Sequence, residues 1–194
     1  MDKDPTDEPK LDRLFENLVR EGWLLDMNAG VDPSTTRMDA ETGVFNQAYF
    51  QALTEEAVID REQGRDPRPG DGPELGAIAV VSVRLTDLEG IEWSVGKGGV
   101  TDLLEQVARR LETVLRAEDL VGRTREDTFS LLLRGCPPDM LENISDRCLG
   151  AVQREPFEIR GKSIEPGVVA GVAQWTDGGA AEILHASWAA IGIA

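Results

Sequence analysis

Histidine and cysteine are nearly missing from this chain of 194 residues, which has one histidine, His185, and two cysteines, Cys136 and Cys148. A single imidazole excludes any mechanism that needs two. Two thiols make neither a disulfide scaffold nor a four-ligand zinc site. Aromatic residues are 5% of the sequence, with one tyrosine, five phenylalanines and four tryptophans. Positive charge is scarce too: Lys+Arg number 20 against 36 Asp+Glu, a formal net charge of -16. Phosphate affinity rests on clustered Lys and Arg, so nucleic acid and anionic membrane surfaces are not expected partners. No apolar run is long enough for a membrane-spanning helix. The opening MDKDPTDEPK has no apolar core of a signal peptide. A reduced, cytoplasmic setting is expected.

What is present is the composition of a globular domain, 41% hydrophobic and 29% charged. Residues 1–10 are polar and proline-containing, and are expected to be disordered. Leu11, Leu14, Phe15, Leu18, Val19 and Leu25 recur at spacings of three and four, which predicts an amphipathic helix within an extension over 11–37. That stripe is expected to pack on the main domain or on a second copy of the chain, giving a homodimer. Gly22 interrupts the heptads that a coiled coil would need.

From Met38 onward strands and helices alternate. The pattern predicts a helix over Asn46 to about Asp60, a Gly/Pro-rich loop over 63–74 and a buried strand over Gly76–Leu85. An amphipathic helix is marked by Leu103, Leu104, Val107, Ala108, Leu111, Val114 and Leu115. Leu120–Arg123 and Phe129–Leu133 flank a polar turn, a β-hairpin pattern. A helix over about Pro138–Arg154, strands near Phe157–Arg160 and Val168–Ala173, and a last helix over about Gly179–Ile191 complete the chain. The expected class is α/β (α+β): a central, mostly antiparallel sheet flanked by helices, with the N-terminal helical extension.

Four segments carry a family resemblance. DAETGVFNQAYF (Asp39 to Phe50) resembles the DxLTGLxNRRxF opening of GGDEF domains, and RAEDLVGRTREDTFSLLL (Arg116 to Leu133) resembles the RxxD motif followed by the GGDEF hairpin. VVAGVA (Val168 to Ala173) is similar to the SIGVA strand, and DGGAAEIL to the lead into the final helix. In register, they identify residues 38–194 as a GGDEF domain, the fold of diguanylate cyclases. Those enzymes join two GTP molecules into cyclic di-GMP, using two acidic residues to hold divalent metal against the triphosphate.

The resemblance implies where that chemistry should sit, and the residues depart from it. At the signature hairpin Arg125 and Glu126 replace the two glycines, with side chains expected in the space the phosphates need. Asp127 keeps one acid, and Thr128 replaces the next. Counting back without gaps puts the first metal acid at Arg84, and a guanidinium repels Mg²⁺. Using Asp87 and Glu89 instead requires an insertion and then a deletion. The guanine-reading positions fall at Glu92 and Thr101, and the phosphate-contacting lysine at Ala194. The expectation is therefore a degenerate domain, not an enzyme, with no Mg²⁺ site and no other cofactor.

One family feature is intact. Arg116 and Asp119 form the RxxD motif of the inhibitory product site, and Arg147 on the following helix is the candidate for its assisting arginine. An arginine fork can donate to guanine O6 and N7, and a carboxylate can accept from guanine N1–H and N2–H. The expected function is regulatory: cyclic di-GMP bound at Arg116, Asp119 and Arg147, with the signal passed on by contact with an unidentified protein partner. Arg and Asp at this spacing also make an ordinary surface pair worth at most about 1 kcal/mol. The alternative is therefore a nucleotide-independent interaction or dimerisation module, and a working cyclase is the minor one. Trp93, which replaces a polar residue, is expected to fill the former nucleotide pocket or to offer an apolar contact to a partner. His185 is expected to be packed or half-exposed, and the cysteines to be small apolar fillers.

Overall fold

In a computed structural model, the structure describes residues 37–64 and 77–193. The polar start, the N-terminal amphipathic stripe with the dimer expected from it, most of the 63–74 loop, and Ala194 lie outside the described residues. The order of elements is β1 (Phe45–Asn46), α1 (Gln47–Glu62), β2 (Ile78–Thr86), α2 (Leu88–Val95), α3 (Lys97–Glu112), β3 (Leu120–Arg125) and β4 (Thr128–Arg134). A 3₁₀ turn (Pro138–Met140), α4 (Leu141–Gln153), β5 (Phe157–Ile159), β6 (Lys162–Ile164), β7 (Gly167–Gln174) and α5 (Ala180–Ile193) follow.

The main sheet has five strands in the order β1-β3-β4-β2-β7, and β5 and β6 form a separate hairpin. Among the described residues, β1 alone runs parallel to its neighbour, β3; the remaining pairs are antiparallel. This is the mixed sheet flanked by helices that the pattern predicts, in the α+β class. Among the described residues no helix is long and apolar enough to cross a membrane.

Strand alternation sorts the core into two layers. Ala79, Val81, Val83 and Leu85 of β2 pack with Phe129, Leu131 and Leu133 of β4 under α3 and α4, which supply Leu103, Val107, Leu111, Ile144 and Cys148. On the other face, Ile78, Val80 and Leu132 meet Phe50 and Val58 of α1 and Ile183 and Leu184 of α5. Cys136 and Cys148 are both buried fillers, and burial pushes the Cys148 thiol up to about 12. His185 is exposed on α5.

Local chemistry sets the helix ends. Asn46 caps α1, its Oδ1 accepting from the Tyr49 N–H at 2.9 Å. The expected helix through Leu115 stops at Glu112. There Thr113, Val114 and Leu115 donate to the carbonyls of Arg110, Leu111 and Glu112, so the apolar stripe continues while the helix tightens and ends. The short α2 has no counterpart among the elements that the sequence pattern predicts.

A chain of buried hydroxyls crosses the α5 side of the sheet. Thr124 and Ser130 are joined at 2.7 Å, Ser130 and Ser82 at 2.8 Å, and Ser82 and Ser187 of α5 at 2.8 Å. Ser187 donates to the Leu184 carbonyl at 2.8 Å, which lets every hydroxyl donate once in the same direction. Helix α5 comes this close because Gly171 of β7 has no side chain: a Cβ there would sit 2.3 Å from the Ser187 carbonyl oxygen and 2.8 Å from the Ile191 nitrogen. Both obstacles are backbone, so Gly171→Ala is expected to lower stability by about 1–3 kcal/mol. Urea denaturation checks this, and an unchanged midpoint would show that α5 is not held at this distance.

Candidate functional site

The β3–β4 hairpin presents the candidate site. Arg125 and Thr128 are in register, Arg123 pairs with Phe129, and the ladder shifts between Arg123 and Arg125. The Leu85 N–H donates to the Asp127 carbonyl at 2.9 Å, which ties the hairpin tip to the end of β2. Arg84 pairs with Thr128 in the next register position. Arg84 thus stands near the end of β2, beside the hairpin. Asp87 instead adopts a left-handed conformation (φ 58°) at the cap of α2, where its carboxylate accepts from the Gly90 N–H at 3.3 Å.

At the hairpin itself, Arg125 and Glu126 are exposed and Asp127 is half-buried. The buried Thr128 hydroxyl donates to Asp127 Oδ1 at 2.7 Å. Arg125 lies against α5, its guanidinium carbon 4.2 Å from the centre of the Trp188 ring, rather than along the hairpin.

Sequence reasoning missed the network on the other side of the hairpin. Arg123, whose side chain is 11% exposed, pairs with Asp39 at 3.3 Å and with Glu41, and donates to the Glu126 carbonyl at 2.9 Å. Thr101 of α3 donates to Glu41 Oε1 at 3.4 Å, so Glu41 links α3 to the hairpin through Arg123. Glu92 is exposed on α2. The acid-rich opening DAETG and the arginine in β3 were visible, but no spacing rule joins residues so far apart in sequence.

Trp93 does not fill a pocket; it is 92% exposed. Helix α2 packs through Leu88, Ile91 and Val95, and residue 93 falls on the opposite side of so short a helix. Of the two expectations for Trp93, the contact surface is the one its position allows.

Arg116 and Asp119 follow the end of α3. Asp119 Oδ2 accepts the Arg116 backbone N–H at 3.1 Å, and the Asp119 N–H donates to the Arg116 carbonyl at 3.2 Å, so the turn is locked from both ends. The Arg116 side chain is exposed, and both residues line a recess of about 260 Å³ with Met38, Phe45 and Leu115. Arg147 lines a different groove, of about 640 Å³, between α3 and α4, together with Arg110 and Arg154. There Arg147 donates to the Val114 carbonyl at 3.0 Å. The structure thus brings Arg116 and Asp119 together and places Arg147 in the neighbouring groove.

A family model described as "Diguanylate cyclase, GGDEF domain" matches residues 36–188. An uncharacterised protein of Synechocystis sp. is 27% identical over 149 residues, covering 75% of this chain and 21% of that protein. This chain therefore spans about a fifth of the length of that relative. Among solved structures, the GGDEF domain of FimX from Pseudomonas aeruginosa superposes with a TM-score of 0.72 at 20% identity, covering 82% of this chain and 93% of that one. The GGDEF domain of DgcB from Caulobacter crescentus, in complex with c-di-GMP, gives 0.71 at 14% identity over 86% and 92%. The diguanylate cyclase SiaD of Pseudomonas aeruginosa, in complex with its activator SiaC, gives 0.67 at 18% over 97% and 66%. At these identities the likeness is one of fold.

Burial raises the Asp119 carboxyl above 3.8; the backbone N–H groups of Arg116 and Arg134 pull it down, Glu118 adds to the rise, and the Arg116 charge opposes it. A carboxyl whose folded pKa exceeds its unfolded value lowers stability above the folded pKa and returns it as pH falls toward the unfolded value. Asp119→Asn keeps an oxygen for the Arg116 N–H and removes the titration. In denaturant titrations the variant is expected to gain on the wild type as pH rises above 3.8. A difference independent of pH would contradict the shift.

Proposed function

The chain belongs to the GGDEF domain family, and we propose that this member works by binding and not by catalysis: a cytoplasmic cyclic di-GMP receptor that signals through protein contact. The observation that carries the loss of catalysis is the pairing of Arg84 with Thr128 at the strand end beside the hairpin. Divalent metal needs convergent oxygen donors. Here the neighbours of Asp127 are an arginine and a threonine whose hydroxyl already donates to the Asp127 carboxylate. That donor set does not fit Mg²⁺, and no step of phosphoryl transfer is assigned to it.

Binding is assigned to Arg116 and Asp119. The locked turn holds the carboxylate at the edge of a recess and leaves the guanidinium in solvent, where a planar guanine edge can meet both. Arg147 in the adjoining groove contributes once its bond to Val114 is exchanged for the ligand. The DgcB complex with c-di-GMP supports the ligand class, and the SiaD complex with SiaC supports signalling by protein contact.

A second reading rests on Trp93. An indole 92% exposed and flanked by the exposed Glu89 and Glu92 is a surface for a protein partner whether or not nucleotide is present. In that case the fold serves as an interaction module alone.

Isothermal titration calorimetry separates the two. The receptor binds cyclic di-GMP at about two molecules per chain with micromolar or tighter affinity, and Arg116→Ala abolishes the heat. No heat from the wild type, or undiminished heat from the variant, would overturn the receptor and leave the interaction module.

A further inference from the structure

The chain enters the described residues at Arg37, and its entry is pinned. The Arg37 carbonyl accepts the Asn46 N–H at 3.0 Å, Met38 bridges to Phe45, and the Arg37 guanidinium carbon lies 5.4 Å from the centre of the Tyr49 ring. Met38 is thereby held at the recess of about 260 Å³ that also carries Arg116 and Asp119. Apolar side chains line most of it: Met38, Val44 and Phe45, then Leu115 after α3, then Leu120 and Val121 of β3. Met38 is 44% exposed, and Phe45, Leu115 and Leu120 are half-buried, so the described residues leave this apolar opening uncovered.

The sequence supplies an occupant. Leu11, Leu14, Phe15, Leu18, Val19 and Leu25 make an apolar stripe that is stabilised only where it leaves water. Eleven residues, 26–36, separate Leu25 from Arg37. Fully extended they reach at most about 40 Å, enough chain to fold back on a recess at the point of entry. So short a connection keeps the stripe at a high local concentration, which a second copy of the chain does not have. Charge agrees as well. The recess is bordered by Glu112 and Asp119 with Arg116 between them, and residues 11–25 likewise carry both signs, Asp12, Glu16 and Glu21 beside Arg13 and Arg20.

We propose that the apolar stripe of residues 11–25 docks in this recess of its own chain and covers Arg116 and Asp119. The docking itself rests on the recess and the stripe. Its consequence for ligand rests on the cyclic di-GMP reading of Arg116 and Asp119: stripe and nucleotide then exclude one another. A site covered most of the time binds with an affinity reduced by the fraction that is open. The coupling is reciprocal, so bound ligand frees the stripe, and a protein that takes the freed stripe tightens the ligand. That gives a domain of this size a route from a small ligand to a protein contact.

The test is amide hydrogen exchange of the full chain, read by mass spectrometry. The double variant Leu14→Asp/Leu18→Asp breaks the stripe, and Met38→Asp breaks the recess. Each is expected to speed exchange at least about tenfold both over 11–25 and over 112–121, while β2 exchanges as in the wild type. The stripe variant lies outside the described fold, so it decides the matter where Met38→Asp disturbs folding. Protection in the wild type is expected to be the same at all protein concentrations, as docking within one chain requires. Calorimetry reads the consequence: the stripe variant is expected to bind cyclic di-GMP at least about tenfold more tightly than the wild type. Unchanged exchange over 112–121 in the stripe variant, or protection that grows with protein concentration, would overturn the docking. Equal cyclic di-GMP affinity in both would overturn the exclusion. No heat from either protein would overturn the receptor alone, and the exchange result then decides the docking by itself.

Discussion

The molecule depends on β2 being buried on both faces. Its first six residues, Ile78 to Val83, are inaccessible, with β4 on one edge, β7 on the other, and helices above and below. Such a strand tolerates no slip, because a shift of one residue would exchange Val80 for Val81 between two differently shaped layers. Fixed register in β2 fixes the hairpin through β4, and the Leu85 bond to Asp127 fixes the tip. Burial relaxes only where β2 approaches its end, with Arg84 and Thr86 half-buried around a buried Leu85. The tip of the β3–β4 hairpin lies beside that exit from the core.

The same constraint explains why a polar network can lie inside an apolar sandwich. Ser82, Ser130 and Thr124 interrupt the apolar alternation on one face, and each is satisfied by its neighbour across the strands. Ser187 completes the row from α5, which Gly171 allows to approach. A row of hydroxyls that all donate in one sense is satisfied only if the strands and the helix hold their places together. The site face of the sheet and α5 are thereby one unit, which gives Arg125 and Trp188 a fixed relationship.

Much of this was legible in the sequence. β2, the hairpin, α4 and β7 are strongly patterned, and their expected bounds lie within a few residues of the observed ones. The pairing of Arg84 with Thr128 across β2 and β4 is a matter of strand register, which the sequence pattern alone does not set. What escaped was either short or distant in sequence. Helix α2 is too brief to establish a period, so its outward face, and with it Trp93, could not be assigned. The Arg123–Glu41 link joins segments that only the parallel pairing of β1 with β3 brings together. The direction of Arg125 depends on Trp188, a residue from the far end of the chain. Side-chain destinations across elements are tertiary facts, and periodicity carries none of them.

The family resemblance implies a metal-binding acid where β2 carries Arg84, and a guanidinium repels the cations that a carboxylate gathers. Under the proposed function, a guanidinium there does not hold the metal that orients the attack in a cyclase. In the function proposed here, the fold is kept while its chemistry is replaced by recognition. The most direct measurement is to incubate the purified full chain with GTP and Mg²⁺ or Mn²⁺ and to quantify cyclic di-GMP by mass spectrometry. The account predicts no product above a protein-free control. Product that forms with the wild type and disappears with Asp127→Asn would contradict it.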